Sequence, residues 1–276
     1  MKKLFLISLL VCVGILQSFA FDYTDERGVT WSCSETGWNE DTQSYTSACI
    51  TSATGYGDEV VIPEKVYDGT KEYTVTSIEF TFQDNKTLEK VTWPSTVTVI
   101  PYEMFLNCSS LKTVENIKNV TDIGNDAFKE CIDLITLDLG LCKIGWHAFD
   151  GCLRLQSIGE SAKCTSIDYD AFYYCSSLEK IDLSMCTSVG LGAFCYCSSL
   201  QSVGNIGFAS IPGSAFCGCS SLEKIDLSMC TSLGSYAFCG CKKLENVIGL
   251  ENFKSIPEGA VTIQQYYFPY LHPATI

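Results

Sequence analysis

Residues 167–183 read IDYDAFYYCSSLEKIDL, and residues 211–227 read IPGSAFCGCSSLEKIDL. Both fit one pattern, I-x-x-x-A-F-x-x-C-x-x-L-x-x-I-x-L. Its aromatic recurs as Phe82, Phe105, Phe128, Phe149, Phe172, Phe194, Phe216 and Phe238, spaced 21 to 23 residues apart. A fixed period in the twenties, with apolar residues at fixed offsets, marks a solenoid whose coils bury their apolar faces only by stacking. Within each copy L-x-x-I-x-L, such as Leu178 to Leu183, alternates in and out, as a short strand with one buried face does. The turn after it leads to an Ile, Val or Leu (Ile123, Ile144, Ile167, Val189, Ile211, Leu233), then to Ala-Phe, which reads as one helical turn on the opposite side. Stacking such units predicts an α/β solenoid of about eight coils, a curved rod with a parallel β-sheet face. A second order sits inside the period. SSLEKIDLSMCTS occurs at 176–188 and again, unchanged, at 220–232, so the array grew by duplicating a pair of coils.

The repeats run over residues 73–261, and the flanks differ. The first copy has Ile78 only four residues before Phe82 and Thr81 in place of Ala, as a terminal coil would. Residues 21–72 lack the period. GVTWSCS and SYTSACIT alternate around the turn-rich ETGWNEDTQ, which predicts a β-hairpin, with a further strand near EVVIPEKV. We read this segment as an N-terminal β cap, because an uncovered first coil leaves a sheet edge in water. Residues 262–276, with Tyr266, Tyr267, Phe268 and Tyr270, read as a C-terminal cover. Residues 1–20 read as a signal peptide: Lys2 and Lys3 precede the apolar Leu4–Leu16, and Ser18 and Ala20 are the small residues of a cleavage site. Cys12 would suit a lipoprotein, but Val11 precedes it where a small residue is wanted. The expected product is exported, with no membrane insertion after cleavage. Losing Lys2 and Lys3, and no acid, takes the net charge from −14 to −16. So acidic a chain repels nucleic acid and anionic lipid.

The A-F-x-x-C-x-x-L-x-x-I-x-L pattern resembles the BspA-like leucine-rich repeats over roughly residues 73–261, and VIPEKVYDGTKEYTVTSI resembles the entry strands of such proteins. The resemblance implies a right-handed leucine-rich repeat rod, export to the cell surface, extracellular space or periplasm, and attachment to host proteins or neighbouring cells. It implies no reaction. The chain departs from the family in its abundance of cysteine and in lacking a recognisable C-terminal sorting segment.

The cysteines fall into sets that the repeats themselves decode. Cys108, Cys131, Cys152, Cys175, Cys197, Cys219 and Cys241 each lie three residues after the Phe, where the first copy has Asn85. Asn and Cys exchange at a small buried position that hydrogen-bonds turn backbone, so this ladder reads as structural thiols. Cys142, Cys164, Cys186 and Cys230 share their place with Val75, Val97, Val120, Phe208 and Phe253 in other copies, and read as core filler. Cys195, Cys217 and Cys239 directly follow the Phe, where other copies carry Gln83, Leu106, Lys129, Asp150 and Tyr173. These predict exposed thiols, stacked about 5 Å apart, so neighbours could pair and leave the third free. A soft metal on such a ladder lacks the Cys-x-x-Cys spacing and His partners of structural zinc, and no metal is expected. Cys33 and Cys49, on the two hairpin arms of an exported chain, are expected to form a disulfide.

Outward strand positions supply the candidate binding surface. Their central residues are Thr92, Glu115, Asp138, Gly159, Asp182, Gly204, Asp226 and Ile248, flanked by Lys90, Lys180 and Lys224. We single out Glu115, Asp138, Lys180, Asp182, Lys224 and Asp226 as ligand-binding residues for a protein or glycan on a host or neighbouring cell. Solvated strand residues are the plain alternative. Ca²⁺ between the Asp residues is less expected, since alternate coils lie about 10 Å apart, too far for both carboxylates to reach one ion.

Catalysis has no candidate. His147 and His272 are the chain's histidines, and no Gly-rich phosphate loop, G-x-S-x-G or H-E-x-x-H occurs. Cys152 lies five residues from His147, but its repeat mates mark it as structural. No catalytic residue and no cofactor is expected. Two function classes remain: an exported adhesion module, and a thiol-rich envelope or coat component that self-associates.

Overall fold

The structure is a computed structural model that describes residues 19–160, 162–257 and 259–261. The segment read as a signal peptide lies outside these residues up to position 18, as do the aromatic tail and His272. The chain forms two units. One comprises the residues up to Tyr56 together with Glu64–Phe80, and the other Gly57–Pro63 with the chain from Thr81 onward.

The first unit is a five-stranded sheet. Ala20–Thr24, Thr30–Asn39 and Ser44–Thr54 run antiparallel in succession, the last two being the expected hairpin arms. Glu72–Ile78 then adds parallel to Ser44–Thr54, and Lys65–Tyr67 antiparallel to Glu72–Ile78. Trp31, Ala48, Ile50, Val75 and Ile78 are buried on it. Trp31 keeps its indole N–H satisfied by donating to Asp25 Oδ2 at 3.2 Å. The expected disulfide is not formed. Register sets Cys33 opposite Ile50 and Cys49 opposite Ser34, and both cysteines are buried free thiols donating to nearby carbonyls.

The second unit is the solenoid. Its first rung is Glu59–Val61, paired parallel with Lys90–Thr92, which pairs with Thr113–Glu115. The stretch EVVIPEKV, read from sequence as one strand, is thus two: Glu59–Val61 in the solenoid and Lys65–Tyr67 in the other unit. Val60, Val91, Val114, Leu137, Ile158, Ile181, Val203 and Ile225 stack inward along this face. At the far end Val261 pairs with Phe238 and Ala260 accepts the Phe238 N–H, as one more coil. About nine turns result, rather than eight. A second parallel ladder follows the Ile steps, from Val99–Ile100 through Asp122–Ile123 and Leu141–Ile144 to Lys163–Ile167. It resumes at Ser210–Ile211 and Ser232–Leu233.

The expected helical turn at Ala-Phe is absent, and among the described residues there is no α-helix. The reason lies in two flanking positions. Residues two before and two after each central Phe take positive φ, as in Asp126 (53°) and Glu130 (58°), or Asp170 (50°) and Tyr174 (58°). Left-handed residues end a right-handed helix. The backbone N–H groups therefore reach across to the next coil, Phe128 N to Ala148 O and Phe149 N to Ala171 O, each 2.8 Å. The third side is a turn ladder, and the fold is a β-solenoid rather than α/β.

The Phe rings fill the centre. All eight are buried, with successive centroids 5.0 to 5.8 Å apart and planes tilted by no more than 24°. The structural cysteine ladder stands beside them. Each thiol donates to the carbonyl of the Phe one coil back, as Cys108 to Phe82 O and Cys152 to Phe128 O at 3.0 Å. Burial pushes these thiols up, Cys108 to about 12. Asn85 does something else in the first copy: its Oδ1 accepts from Thr87 N and Leu88 N, both 2.9 Å, and caps its own turn.

Candidate functional site

The strand face presents the six residues singled out from sequence on one ladder, and the structure sorts them by what already holds them. Glu115 is paired with Lys90 at 2.8 Å. Asp182 is tied twice: its Oδ2 accepts from Lys163 Nζ and its Oδ1 from Ser184 N at 2.9 Å. The Lys163 ammonium is the main reason its carboxyl is held down, at about 2. Asp226 closes the same kind of turn, accepting from Ser228 N at 2.8 Å and from the Ser228 hydroxyl, which lowers its pKa. Aspartates that bind backbone two residues on are turn residues in their own right. Asp138, Lys180 and Lys224 are exposed, and their side chains make no ion pair or hydrogen bond among the described residues.

The alternation of Asp and Gly along the ladder has a steric cause. Gly204 has φ +67°, and a Cβ there would sit 2.9 Å from Asp182 Oδ1; at Gly159, φ +114°, it would sit 3.2 Å from Asp138 Cα. A side chain at either glycine would crowd the Asp one coil back, whereas Asp226 faces Ile248. Around these glycines the face opens into a groove of about 490 Å³, lined by Gln156, Ser157, Glu179, Lys180, Asp182 and Ser202 among others. The groove brings Lys180 and Asp182 together. Glu115, Lys224 and Asp226 lie on the same face outside it.

The BspA type leucine-rich repeat model matches residues 75–201 and 209–266, in six copies. The chain belongs to the BspA-type leucine-rich repeat family. Solved structures agree on the fold. A leucine-rich cell surface protein from Faecalibacterium prausnitzii is 24% identical with a TM-score of 0.50, covering 88% of this chain and 81% of its own. A leucine-rich repeat protein from Bacteroides ovatus is 23% identical at TM-score 0.52, over 87% of this chain and 54% of its own. The leucine-rich repeat protein of T. pallidum is 24% identical at TM-score 0.50, over 81% of this chain and 91% of its own. No curated protein matches the chain.

The BspA-type pattern hid one cluster from sequence reasoning. On the turn side, Lys129 Nζ lies 3.2 Å from Asp150 Oδ2 and 3.5 Å from Asp126 Oδ1. His147 Nδ1 lies 3.3 Å from Asp150 Oδ2, and its ring meets Tyr169 edge-on at 5.2 Å. Burial raises the neighbouring Asp170, against the lowering effect of its Tyr169 hydrogen bond. Beside this cluster the exposed Tyr174 and Tyr196 stack at 4.7 Å. These residues occupy fixed offsets from successive Phe, so the period itself was the signal, read only for its apolar positions.

The third cysteine set is less open than expected. Cys195 is 6% exposed, and only Cys217 and Cys239 are half-buried. The same offset carries half-buried Lys129, Asp150 and Tyr173 in earlier coils, so the position is a shelf against the turn rather than a free surface. Among the described residues no group of three or more His, Cys, Asp or Glu is arranged to hold a metal ion, and no helix is long and apolar enough to cross a membrane.

Proposed function

We propose that this chain is an exported interaction module that binds a protein or glycan on a host or neighbouring cell through the strand face of its solenoid. The observation that carries this reading is the groove at coils where the Asp–Gly alternation strips side chains from the face. There, exposed Lys180 stands beside Glu179 with no ion pair among the described residues. Unpaired, already solvated charges are available to a partner without breaking any internal contact. Asp138 and Lys224 extend the same row. The Faecalibacterium relative is described as a cell surface protein, which fits export and surface display here. The reading is of a binding scaffold, the role that membership of the leucine-rich repeat family suggests.

A thiol-rich coat that cross-links between chains is less favoured. Of the described cysteines, only Cys217 and Cys239 are within reach of another molecule.

The test is binding of the chain to immobilised extracellular-matrix proteins, mucins and glycans at two salt concentrations, beside the variant Asp138→Lys, Lys180→Glu, Lys224→Glu. The side chains of these three residues are exposed and make no ion pair or hydrogen bond among the described residues, so the variant is expected to fold as the parent does. Salt-sensitive binding lost in the variant supports the proposal. Absence of binding by either overturns it.

A further inference from the structure

The buried thiol ladder and the Cys195–Cys217–Cys239 shelf differ in what the sulfur atoms do. Cys108, Cys131, Cys152, Cys175, Cys197, Cys219 and Cys241 donate to Phe carbonyls and are closed off from water. The shelf thiols instead stand beside one another on successive rungs, Cys195 next to Cys217 and Cys217 next to Cys239. Their rungs are locked in register by the backbone. Tyr196 N donates to Cys217 O and Gly218 N to Cys239 O, both at 2.7 Å, and Tyr174 N to Cys195 O at 2.9 Å. Adjacent rungs of a β ladder lie about 4.8 Å apart, inside the roughly 4.4–6.8 Å Cα window of a disulfide. Cys195 and Cys239, two rungs apart at about 10 Å, lie outside it. Cys217 is therefore the thiol that any pair must include.

We propose that Cys217 and Cys239 form an oxidisable dithiol, a site of thiol–disulfide exchange with small-molecule disulfides, and that the resulting bond staples two successive coils. The Cys239 thiolate attacks a disulfide R–S–S–R, forming a Cys239–S–S–R bond and releasing R–S⁻, which takes a proton. The Cys217 thiolate then attacks the Cys239 sulfur, forming Cys217–S–S–Cys239 and releasing a second R–S⁻. Two protein thiols are oxidised by two electrons, and one R–S–S–R is reduced to two R–SH. Cys195, nearly closed off, stays reduced as the neighbour of the bond. Burial holds the Cys217 thiol up, so exchange accelerates as pH rises, because the thiolate is the attacking species. The proposal is independent of the strand-face reading, since the shelf lies on the turn side.

The experiment treats the folded full-length chain with oxidised glutathione, counts thiols, and maps disulfides by proteolysis and mass spectrometry. The expected result is loss of two thiols per chain with a cross-linked peptide joining Cys217 to Cys239, faster at higher pH. Cys217→Ser should abolish the cross-link within the trio and leave at most a glutathione adduct, while Cys195→Ser should leave it intact. Three results would overturn the proposal: thiol loss unchanged by Cys217→Ser, a disulfide mapped to the register pair Cys142 and Cys164, or only disulfides between chains. No thiol loss from folded protein after prolonged exposure would do so too.

Discussion

Phe172→Ala removes one ring from the middle of the stack that fills the solenoid. Phe172 is fully buried between Phe149, at 5.0 Å, and Phe194, at 5.3 Å. Truncating a core Phe to Ala costs about 3–5 kcal/mol, because lost transfer free energy and the residual cavity add. Position in the stack should then matter. Phe238 has one stacked ring among the described residues, Phe216 at 5.4 Å, and its next rung is Val261. Phe238→Ala should therefore cost less than Phe172→Ala by about one aromatic pair, roughly 0.5–1.5 kcal/mol. In an array held by nearest-neighbour interfaces, a central lesion weakens two and an end lesion one. Urea unfolding followed by far-UV circular dichroism measures both, with Phe172→Leu as a variant that keeps most of the volume and recovers part of the loss. Equal losses at Phe172 and Phe238, or a loss below about 1 kcal/mol at Phe172, would refute the stacked-core account.

Three further outcomes follow from the geometry. Cys152→Ala takes the thiol donor from the buried Phe128 carbonyl, which keeps the Cys131 N–H, and should cost about 0.5–1.5 kcal/mol; Cys152→Ser keeps a donor and should cost less, read by the same urea titrations. Asp182 is held at about 2 by Lys163, below the ordinary 3.8, so its contribution is present above about pH 4 and is lost as pH falls towards 2. Lys163→Met should flatten the stability–pH profile across that window, and an unchanged slope would contradict the pairing. Gly204→Ala should destabilise by about 1–2 kcal/mol from its left-handed backbone alone. The added clash with Asp182 should vanish in an Asp182→Ala background, giving a coupling of about 0.5 kcal/mol or more in a double-mutant cycle; strict additivity would dismiss the Asp–Gly explanation.

The period, the buried Phe and Leu, and the inward rows of the strand face were legible because apolar residues at fixed offsets have one way to be buried. Residues two positions from each Phe were misread for a physical reason. Asp126, Glu130, His147 and Tyr174 carry no conformational signature as strong as glycine, yet all take positive φ and turn a helical-looking Ala-Phe into a ladder of turns. The first rung was missed because Glu59–Val61 is separated from the next by a stretch belonging to the other unit. At the site, sequence placed Asp182 and Asp226 on the face but could not show that Lys163, Ser184 and Ser228 already engage them. Those partners come from a different ladder or from the turn itself. The Lys129–Asp150–His147 cluster escaped because His147 and Asp150, three residues apart on one coil, meet Lys129 only when the preceding coil stacks on it.

The most direct test of the strand-face account is a side-by-side affinity measurement on one immobilised partner. It compares the parent chain, the Asp138→Lys, Lys180→Glu, Lys224→Glu variant, and a turn-side variant, Tyr174→Ser with Tyr196→Ser. The account predicts that the strand-face variant loses at least tenfold in affinity, about 1.4 kcal/mol, while the turn-side variant binds as the parent does. Retained affinity in the first and loss in the second would contradict it and place recognition on the aromatic turn side.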